Sequence, residues 1–250
     1  MTSDAALAAQ LAQSAGEILL GLRSKEAVSG ADGDRLANQY LLAELARCRP
    51  DDAVLSEEAA DDPARVGADR VWIIDPLDGT REFAARDGHG WRTDFAVHVA
   101  LWQRGAGLVA GAVALPARDR VFSTDPAEPL PPLGADPLRL AVSRSRPPAL
   151  VNRVAELLPV ELVPMGSAGV KAMAVVTGEV DAYLHGGGQY EWDSAAPVAV
   201  AAAAGLHTSR LDGSPLAYNN SDPWLPDLLV CRTEHAQRLL AAVAQIEGDR

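Results

Sequence analysis

Apolar residues recur at helical spacing in the N-terminal part of the chain. One set lies three or four positions apart and predicts an amphipathic helix that ends at about Arg23: Leu7, Leu11, Ala15, Ile18 and Leu22. A second set predicts another helix, which ends before residues 49–52: Leu36, Tyr40, Leu41, Leu45 and Cys48. Residues 29–33 favour a loop between these helices, and Asp34 is well placed to cap the second one.

Short apolar runs separated by glycine, proline and aspartate then predict strands. They lie at residues 53–55, 71–74, 95–102, 108–115 and 121–123. This half therefore predicts a helix pair followed by a largely antiparallel sheet. Residues 124–137 hold five prolines and no hydrophobic periodicity. They predict a boundary between an N-terminal metal-binding α+β subdomain, residues 1–130, and a C-terminal α/β subdomain, residues 131–250, that contributes Asp193 and substrate contacts.

Strand-like and helix-like runs alternate beyond the proline-rich segment. Strands are predicted at residues 138–142, 161–163 and 181–184, and helices at residues 147–157, 168–177 and 192–204. Such alternation implies crossover connections, with helices packed on a sheet. The predicted fold class is therefore α/β: a layered α/β sandwich in which a helix pair and a largely antiparallel sheet precede an alternating α/β subdomain.

Composition and charge narrow the range of partners. A chain of 250 residues with 48% hydrophobic residues can bury a full core. The formal net charge of −12 repels polyanions, so nucleic acid and anionic membranes are not expected as partners. A small anionic substrate stays compatible, because bound divalent cations reverse the local field. No leader-like start and no uncharged run of membrane-spanning length is found, so a cytoplasmic location is expected. Cys48 and Cys231 lack metal or redox spacing and are expected to be buried thiols.

The most informative stretch is the hexapeptide DPLDGT, which follows the apolar run at residues 71–74 directly. Asp75 and Asp78 offer carboxylate oxygens to a hard cation, and the bent backbone between them allows the Leu77 carbonyl to face the same cavity. Gly79 and Thr80 then present backbone N–H groups to a phosphate at the start of a short helix, residues 80–85. Ordinary turns use the same residue types, but this complete string after a strand favours a magnesium-dependent phosphate site.

Three further acids could complete that site, although each has a simpler explanation. The pair Glu57-Glu58 follows a strand, where such acids are often solvated. Asp193 stands at the start of an alanine-rich helix and could be only its N-cap, and Asp34 could be a plain cap as well. Capping does not exclude metal binding. The metal-site interpretation is therefore stronger for the three acids together than for any one of them alone.

Taken together, these residues resemble the inositol monophosphatase superfamily of lithium-sensitive, magnesium-dependent phosphatases. The signature D-P-L-D-G-T is complete at residues 75–80, the second signature W-D-x-A-A is complete at residues 192–196, and the acidic pair stands at Glu57-Glu58. The resemblance covers most of the chain. It implies an inositol monophosphatase-like fold and two or three Mg²⁺ ions in each site.

The resemblance also implies a role for each metal-site residue. Glu58, Asp75 and the Leu77 carbonyl would hold one Mg²⁺, and Asp75, Asp78 and Asp193 would hold a second. A third, weaker ion would lie near Glu58. Two cations a few ångströms apart stabilise both the attacking and the leaving oxygen of an in-line displacement.

The remaining implied roles concern water and substrate. Asp34 and Thr80 would orient and deprotonate the attacking water, and the Gly79 and Thr80 amides would receive the phosphate. Asp193 is a candidate substrate contact as well as a metal ligand. These roles make the expected protein a phosphoric monoester hydrolase.

Within the superfamily the chain is most similar to the actinobacterial CysQ-type 3′(2′),5′-bisphosphate nucleotidases. The similarity lies at residues 55–58, 72–83, 166–171, 190–197 and 212–219. Such enzymes remove the 3′-phosphate of 3′-phosphoadenosine 5′-phosphate, yield AMP, and so clear a by-product of sulfate assimilation. Inositol monophosphatases carry a substrate-binding Glu seven residues before the W-D aspartate, and this position is Gly186 here. Glycine leaves room for a larger, flatter group, although a flexible loop would also explain it.

Candidate cations for a second phosphate are Arg144, Arg146 and Lys171, each of which could instead be a surface charge. The expected partner is a small anionic nucleotide or sugar phosphate, and a homodimer is one option for assembly. Two alternatives stay open. One is a broad phosphatase of inositol phosphates or fructose 1,6-bisphosphate. The other is a non-catalytic metal and nucleotide sensor, which the presence of both Asp34 and Thr80 disfavours.

Overall fold

Two long helices open the fold. The structure, a computed structural model, describes residues 2–24, 28–134, 137–145 and 147–248. Helix α1 spans Asp4–Arg23 and α2 spans Gly30–Cys48. The predicted loop up to Gly33 and the predicted cap at Asp34 are wrong. Ser29 is the N-cap, and its hydroxyl accepts the Asp32 N–H at 3.1 Å, so the helix starts before Asp34.

The first sheet follows the helix pair. The next elements are β1 (Ala53–Ser56), β2 (Arg70–Asp78), α3 (Thr80–Phe83), β3 (Arg86–Asp87), β4 (Gly90–Trp91), β5 (Ala96–Gln103), β6 (Gly107–Leu115) and β7 (Arg120–Ser123). Five of the strands form a sheet in the order β1-β2-β5-β6-β7, while β3 and β4 pair separately as a short hairpin. Only the β1–β2 pairing in the five-stranded sheet is parallel, which agrees with the predicted largely antiparallel arrangement.

A second sheet follows in the C-terminal part. Its elements are β8 (Leu138–Ser143), α4 (Ala149–Leu157), β9 (Val160–Met165), α5 (Ala168–Val176), β10 (Ala182–Tyr190), α6 (Glu191–Ala203), β11 (His207–Ser209), β12 (Trp224–Cys231) and α7 (Thr233–Gly248). The strand order is β11-β12-β10-β8-β9, and β8 is parallel to both of its neighbours. The elements β11, β12 and α7 were not predicted from the sequence.

The elements stack in five layers, which confirms the predicted layered α/β sandwich. Helices α1 and α2 cover one face of the first sheet, and α5 and α6 lie between the two sheets. Helices α4 and α7 pack together on the outer face of the second sheet. Strand β2 shows the principle, because its successive side chains point to opposite faces. Val71 and Ile73 enter the central core, whereas Trp72 and Ile74 enter the core beneath α1 and α2.

Helix α1 is the one element among the described residues that is long and apolar enough to cross a membrane by length and composition. The sequence contains no fully uncharged run of that length. The buried core helix of a globular protein can also meet this criterion of length and composition. Ala8, Leu11, Ala15 and Leu19 are buried in the core formed with the first sheet. Cys231 is a buried free thiol as expected, while Cys48 is only partly buried.

Candidate active site

Three carboxylates converge where the first sheet meets the helices between the two sheets. One ligand oxygen from each of Asp75, Asp78 and Asp193 lies within 4.8 Å of the others. Asp75 and Asp78 are 1% and 7% exposed, so their charges are almost removed from water. Buried carboxylates at such a separation are unfavourable unless a proton or a cation neutralises them. The arrangement therefore indicates a cation site.

A bulge in β2 puts two of these acids on one side of the sheet. Asp75 pairs with His98 and Asp78 with Ala96, so two residues of β2 oppose one residue of β5. In a regular strand, positions 75 and 78 would face opposite sides. The Asp75 carboxylate accepts the Leu77 N–H at 3.0 Å, which holds the bulge from within. Pro76 fits there because a bulge leaves one ladder donor unused.

The parallel pairing of β1 with β2 decides which glutamate joins the cluster. Ser56 is paired with Ile74, so the next residue, Glu57, lies beside Asp75 and their side chains are hydrogen-bonded. Glu58 instead acts electrostatically on Asp34. The sequence reasoning assigned a metal-ligand role beside Asp75 to Glu58. In the structure the side chain in contact with Asp75 is that of Glu57, because consecutive residues after the strand point in different directions.

A second group of atoms surrounds Thr80. Its hydroxyl lies 3.3 Å from Asp34 Oδ1 and 3.1 Å from the Leu77 carbonyl oxygen, so a single proton is shared between two acceptors. Burial, followed by the negative charge of Glu58, raises the pKa of Asp34 to about 6. Gly79 precedes Thr80 with a φ of +91°, and a Cβ there would lie 3.1 Å from the Asp94 carbonyl oxygen. Only glycine suits both the backbone angle and the space.

Asp193 reaches the cluster from the first turn of α6. It is not the N-cap, which is Tyr190. Its carboxylate accepts the Tyr190 N–H at 2.7 Å from the third helical position. Burial and the charge of Asp78 raise the pKa of Asp193 to about 6. One carboxylate oxygen thus closes the helix start, while the group also faces Asp78.

The pKa values of the cluster show how unfavourable its crowded charges are without a cation. Burial and the neighbouring acids raise the pKa of Glu57 to about 7, and burial together with Glu57 raises the pKa of Asp75 well above its usual range. Asp78 behaves differently. Burial alone would raise its pKa, but contacts with His98 and the charge of Lys171 outweigh burial and lower it. Hard oxygen donors with raised pKa values fit a divalent ion such as Mg²⁺.

A cavity of about 930 Å³ opens beside the acids and is large enough for a nucleotide-sized ligand. Lys171, Gly186 and Gln189 line it together with Tyr183 and His185. Lys171 is 6% exposed, and its ammonium group donates to the Ser167 carbonyl oxygen at 2.7 Å. Burial lowers the pKa of Lys171, while the charge of Asp78 acts in the opposite direction.

Arg144 lies outside this cavity, contrary to its expected place among the substrate contacts. Its guanidinium donates to the Asp94 carboxylate and, at 3.1 Å, to the Pro164 carbonyl oxygen. It lines a separate cleft of about 230 Å³. The buried Asp94 carboxylate is thus paired with two arginines, Arg92 and Arg144, outside the larger cavity. Arg146 lies outside the described residues.

The sequence reasoning missed the residues that hold Asp78. Its Oδ2 atom accepts from the Ser167 hydroxyl and from the Gly169 N–H, the latter at 2.7 Å, and lies 3.3 Å from His98 Nε2. Gly169 and Ser167 belong to the GSAGVK string, which offered a partial signal. His98 stands in an apolar strand and offered none.

The layered fold and the acidic cluster together indicate a metal-dependent enzyme. The sequence matches the inositol monophosphatase family over residues 1–247, and the chain belongs to that family. The 3′-phosphoadenosine 5′-phosphate phosphatase of Mycobacterium leprae is 55% identical over an alignment of 260 residues. The alignment covers 98% of this chain and 94% of that protein.

A more distant relative and a solved structure agree with this membership. The 3′(2′),5′-bisphosphate nucleotidase CysQ of Escherichia coli strain K12 is 30% identical and covers 86% of this chain and 94% of that protein. The crystal structure of CysQ from Bacteroides thetaiotaomicron superposes with a TM-score of 0.73 at 30% identity, covering 90% of this chain and 96% of that one. The expected superfamily and fold are therefore confirmed.

Proposed function

We propose that the protein is a magnesium-dependent phosphatase that hydrolyses the 3′-phosphate of 3′-phosphoadenosine 5′-phosphate to give AMP and phosphate. The observation that carries this proposal is the 55% identity to a mycobacterial 3′-phosphoadenosine 5′-phosphate phosphatase along 98% of the chain. The clustered carboxylates of Asp75, Asp78 and Asp193 support a metal-dependent reaction. The 930 Å³ cavity beside them supports a substrate of nucleotide size.

The proposed metal ligands are chosen with the support of the contacts in this structure. Glu57 and Asp75, with the Leu77 carbonyl, would hold one Mg²⁺, while Asp75, Asp78 and Asp193 would hold a second. When bound, such ions polarise the phosphate and lower the pKa of a coordinated water. This assignment replaces Glu58 by Glu57 and keeps the other expected ligands. A third ion near Glu58 stays a prediction.

Asp34 and Thr80 are proposed to orient the attacking water and receive its proton. The Thr80 hydroxyl bridges the Asp34 carboxylate and the Leu77 carbonyl, which places an acid and a hydroxyl next to a proposed metal ligand. With a pKa of about 6, Asp34 is mostly ionised at neutral pH and suited to accept a proton through Thr80. The Gly79 and Thr80 amides at the start of α3 are proposed phosphate donors.

Substrate choice is proposed to depend on Lys171 and on the absence of a carboxylate at Gly186. Lys171 is a buried cation in the cavity wall and is suited to a second phosphate group. Gly186 lines the same cavity and offers no carboxylate to the hydroxyl groups of a sugar. Arg144 has no part in this proposal, since it is paired with Asp94 outside the cavity.

A substrate panel tests the proposal. Initial rates are measured with 3′-phosphoadenosine 5′-phosphate, inositol 1-phosphate and fructose 1,6-bisphosphate, with Mg²⁺ and with EDTA. We expect the nucleotide to exceed inositol 1-phosphate in kcat/KM by at least about tenfold, or about 1.4 kcal/mol, and EDTA to stop turnover. Lys171→Met, which keeps the buried stem, should raise KM for the nucleotide and leave inositol 1-phosphate nearly unchanged.

Each contrary outcome removes a different part of the proposal. Better hydrolysis of inositol 1-phosphate or fructose 1,6-bisphosphate would favour the broad phosphatase. Nucleotide binding without turnover would favour the sensor. Full activity in EDTA would remove the metal assignment. Lithium inhibition, a cytoplasmic location, a homodimer, the lack of nucleic-acid or membrane partners and the subdomain boundary near residue 130 stay predictions.

A further inference from the structure

His98 is a fully buried imidazole in strand β5, whose other residues as far as Trp102 are apolar. Its Nδ1 atom lies 3.0 Å from the Trp192 carbonyl oxygen and 3.8 Å from Asp75 Oδ2. A carbonyl oxygen only accepts hydrogen bonds, so Nδ1 carries a hydrogen. Trp192 immediately precedes Asp193 in the first turn of α6. The ring therefore connects the first sheet to the helix turn that carries the third acid of the cluster.

The other ring nitrogen faces Asp78. His98 Nε2 lies 3.3 Å from Asp78 Oδ2, without the alignment of a full hydrogen bond. The same oxygen accepts from the Ser167 hydroxyl and the Gly169 N–H. Three groups thus surround Oδ2 and limit rotation of the carboxylate. Oδ1 is then the oxygen left for a cation.

Gly169 makes room for this arrangement. A Cβ at that position would overlap His98 Nε2 and would lie 3.0 Å from the Ala96 Cβ. The imidazole consequently packs directly against the Gly169 backbone, whose N–H binds Asp78 at 2.7 Å. The φ angle of Gly169 is not positive, so backbone conformation does not require glycine at this position. The lack of room for a side chain does.

We propose that His98 is a positioning residue that holds the Asp78 carboxylate and the start of α6 in fixed relation and so presets the metal site. This inference rests on the proposed function, because it takes the acids to be magnesium ligands. His98 itself touches neither metal nor substrate. It contacts Asp78 directly and reaches Asp193 through the neighbouring Trp192 carbonyl.

The direct test is metal binding by the metal-free protein, measured by titration calorimetry with Mg²⁺ and with Mn²⁺. His98→Leu fills the buried position with an apolar side chain and removes both polar contacts. We expect the affinity for the metal ion to fall at least about tenfold, as for other groups that orient metal ligands. His98→Gln retains an amide near the position of Nε2 and should recover part of the loss. Val99→Ala is the matched control, because Val99 is equally buried on β5 but faces the opposite core.

A double substitution tests the contact between His98 and Gly169. Gly169→Ala should weaken metal binding by displacing the ring, and the combination His98→Ala with Gly169→Ala should be no weaker than His98→Ala alone. Additive losses would contradict a role that acts through this contact.

The outcomes separate the two proposals. If the wild type binds neither ion, the proposed function fails and the inference fails with it. If the wild type binds and His98→Leu binds equally well, only the positioning role fails. An equal loss in Val99→Ala would show a general effect of core damage and would also overturn the role.

Discussion

At the scale of the residue, adjacent acids in one short turn have different surroundings. Glu57 is hydrogen-bonded to Asp75, whereas Glu58 acts on Asp34. The turn is held by Ser56, whose hydroxyl accepts the Glu58 N–H at 3.2 Å and donates to the Asn38 side chain. The two glutamates are therefore not interchangeable, although the sequence presents them as a pair.

Replacing each glutamate in turn tests this difference. Glu57→Gln should lower the Mg²⁺-dependent rate on the order of a thousandfold, because a proposed metal ligand of this kind would supply several kcal/mol of transition-state stabilisation. Glu58→Gln should cost at least about tenfold less. The rates are measured over a range of Mg²⁺ concentrations, and circular dichroism checks the fold. The opposite order would restore the metal-ligand role to Glu58.

At the scale of the element, the end of β2 combines a bulge with a left-handed glycine. The bulge turns Asp75 and Asp78 to one side, and Gly79 then directs the chain into α3. A Cβ on Gly79 would meet backbone atoms of Asp94 and Phe95, which have little freedom to move. Both the angle and the crowding therefore require glycine.

Alanine substitutions separate these two requirements. Gly105 lies in a turn with a φ of +75° and open space around it. Gly105→Ala should therefore lower the free energy of unfolding by only about 1 kcal/mol, the cost of placing an alanine in the left-handed backbone conformation. Gly79→Ala should lose at least about twice as much, because crowding adds to the strain. Free energies of unfolding are measured by urea denaturation in EDTA. Equal losses would show that crowding at Gly79 has no energetic weight.

At the scale of the whole molecule, the site exists because helices from the C-terminal part pack on the first sheet. Helix α6 contacts β2, β5 and β6 and carries Asp193 to acids that lie more than a hundred positions earlier in the sequence. The resulting burial raises the pKa values of Glu57 and Asp193 from 4.5 and 3.8 to about 7 and about 6. The folded protein therefore stores unfavourable charge when no cation is bound.

Stability should reflect this stored charge through its dependence on pH. A raised folded-state pKa means that proton binding favours folding, so these groups stabilise fully below pH 4 and lose that contribution as the pH rises through 6 to 7. The metal-free protein should melt at least about 5 °C lower at pH 8 than near pH 5.5. Mg²⁺ should raise Tm more at pH 8, where it binds carboxylates without displacing protons.

Differential scanning calorimetry across this range provides the measurement, and Asp193→Asn serves as the comparison. The variant removes one buried charge, so its metal-free Tm should fall less between the two pH values. A Tm that is flat with pH in the wild type, or equal Mg²⁺ stabilisation at both pH values, would contradict the electrostatic account.

The sequence by itself determined the helix pair, most strands and the class of chemistry. Helical and strand periodicities act locally, so α1, β5 and β6 were predicted close to their observed bounds, whereas β2 extends beyond its predicted end at residue 74 to Asp78. The DPLDGT string also acts locally, since its carboxylates and its glycine turn are neighbours in the chain. The predicted N-cap at Asp34 was wrong because the Ser29 hydroxyl caps the helix at an earlier position.

Only the tertiary structure decided which of the candidate side chains meet. Strand pairing placed Glu57 rather than Glu58 beside Asp75, and Arg144 is paired with the buried Asp94 outside the cavity. The role of His98 could not be predicted from the sequence, because its contacts come from α6 and from the end of β2 rather than from neighbouring residues in its own strand. A sequence specifies which chemical groups are available. Their distances and surrounding charges depend on packing between elements far apart in the chain, which local patterns do not encode.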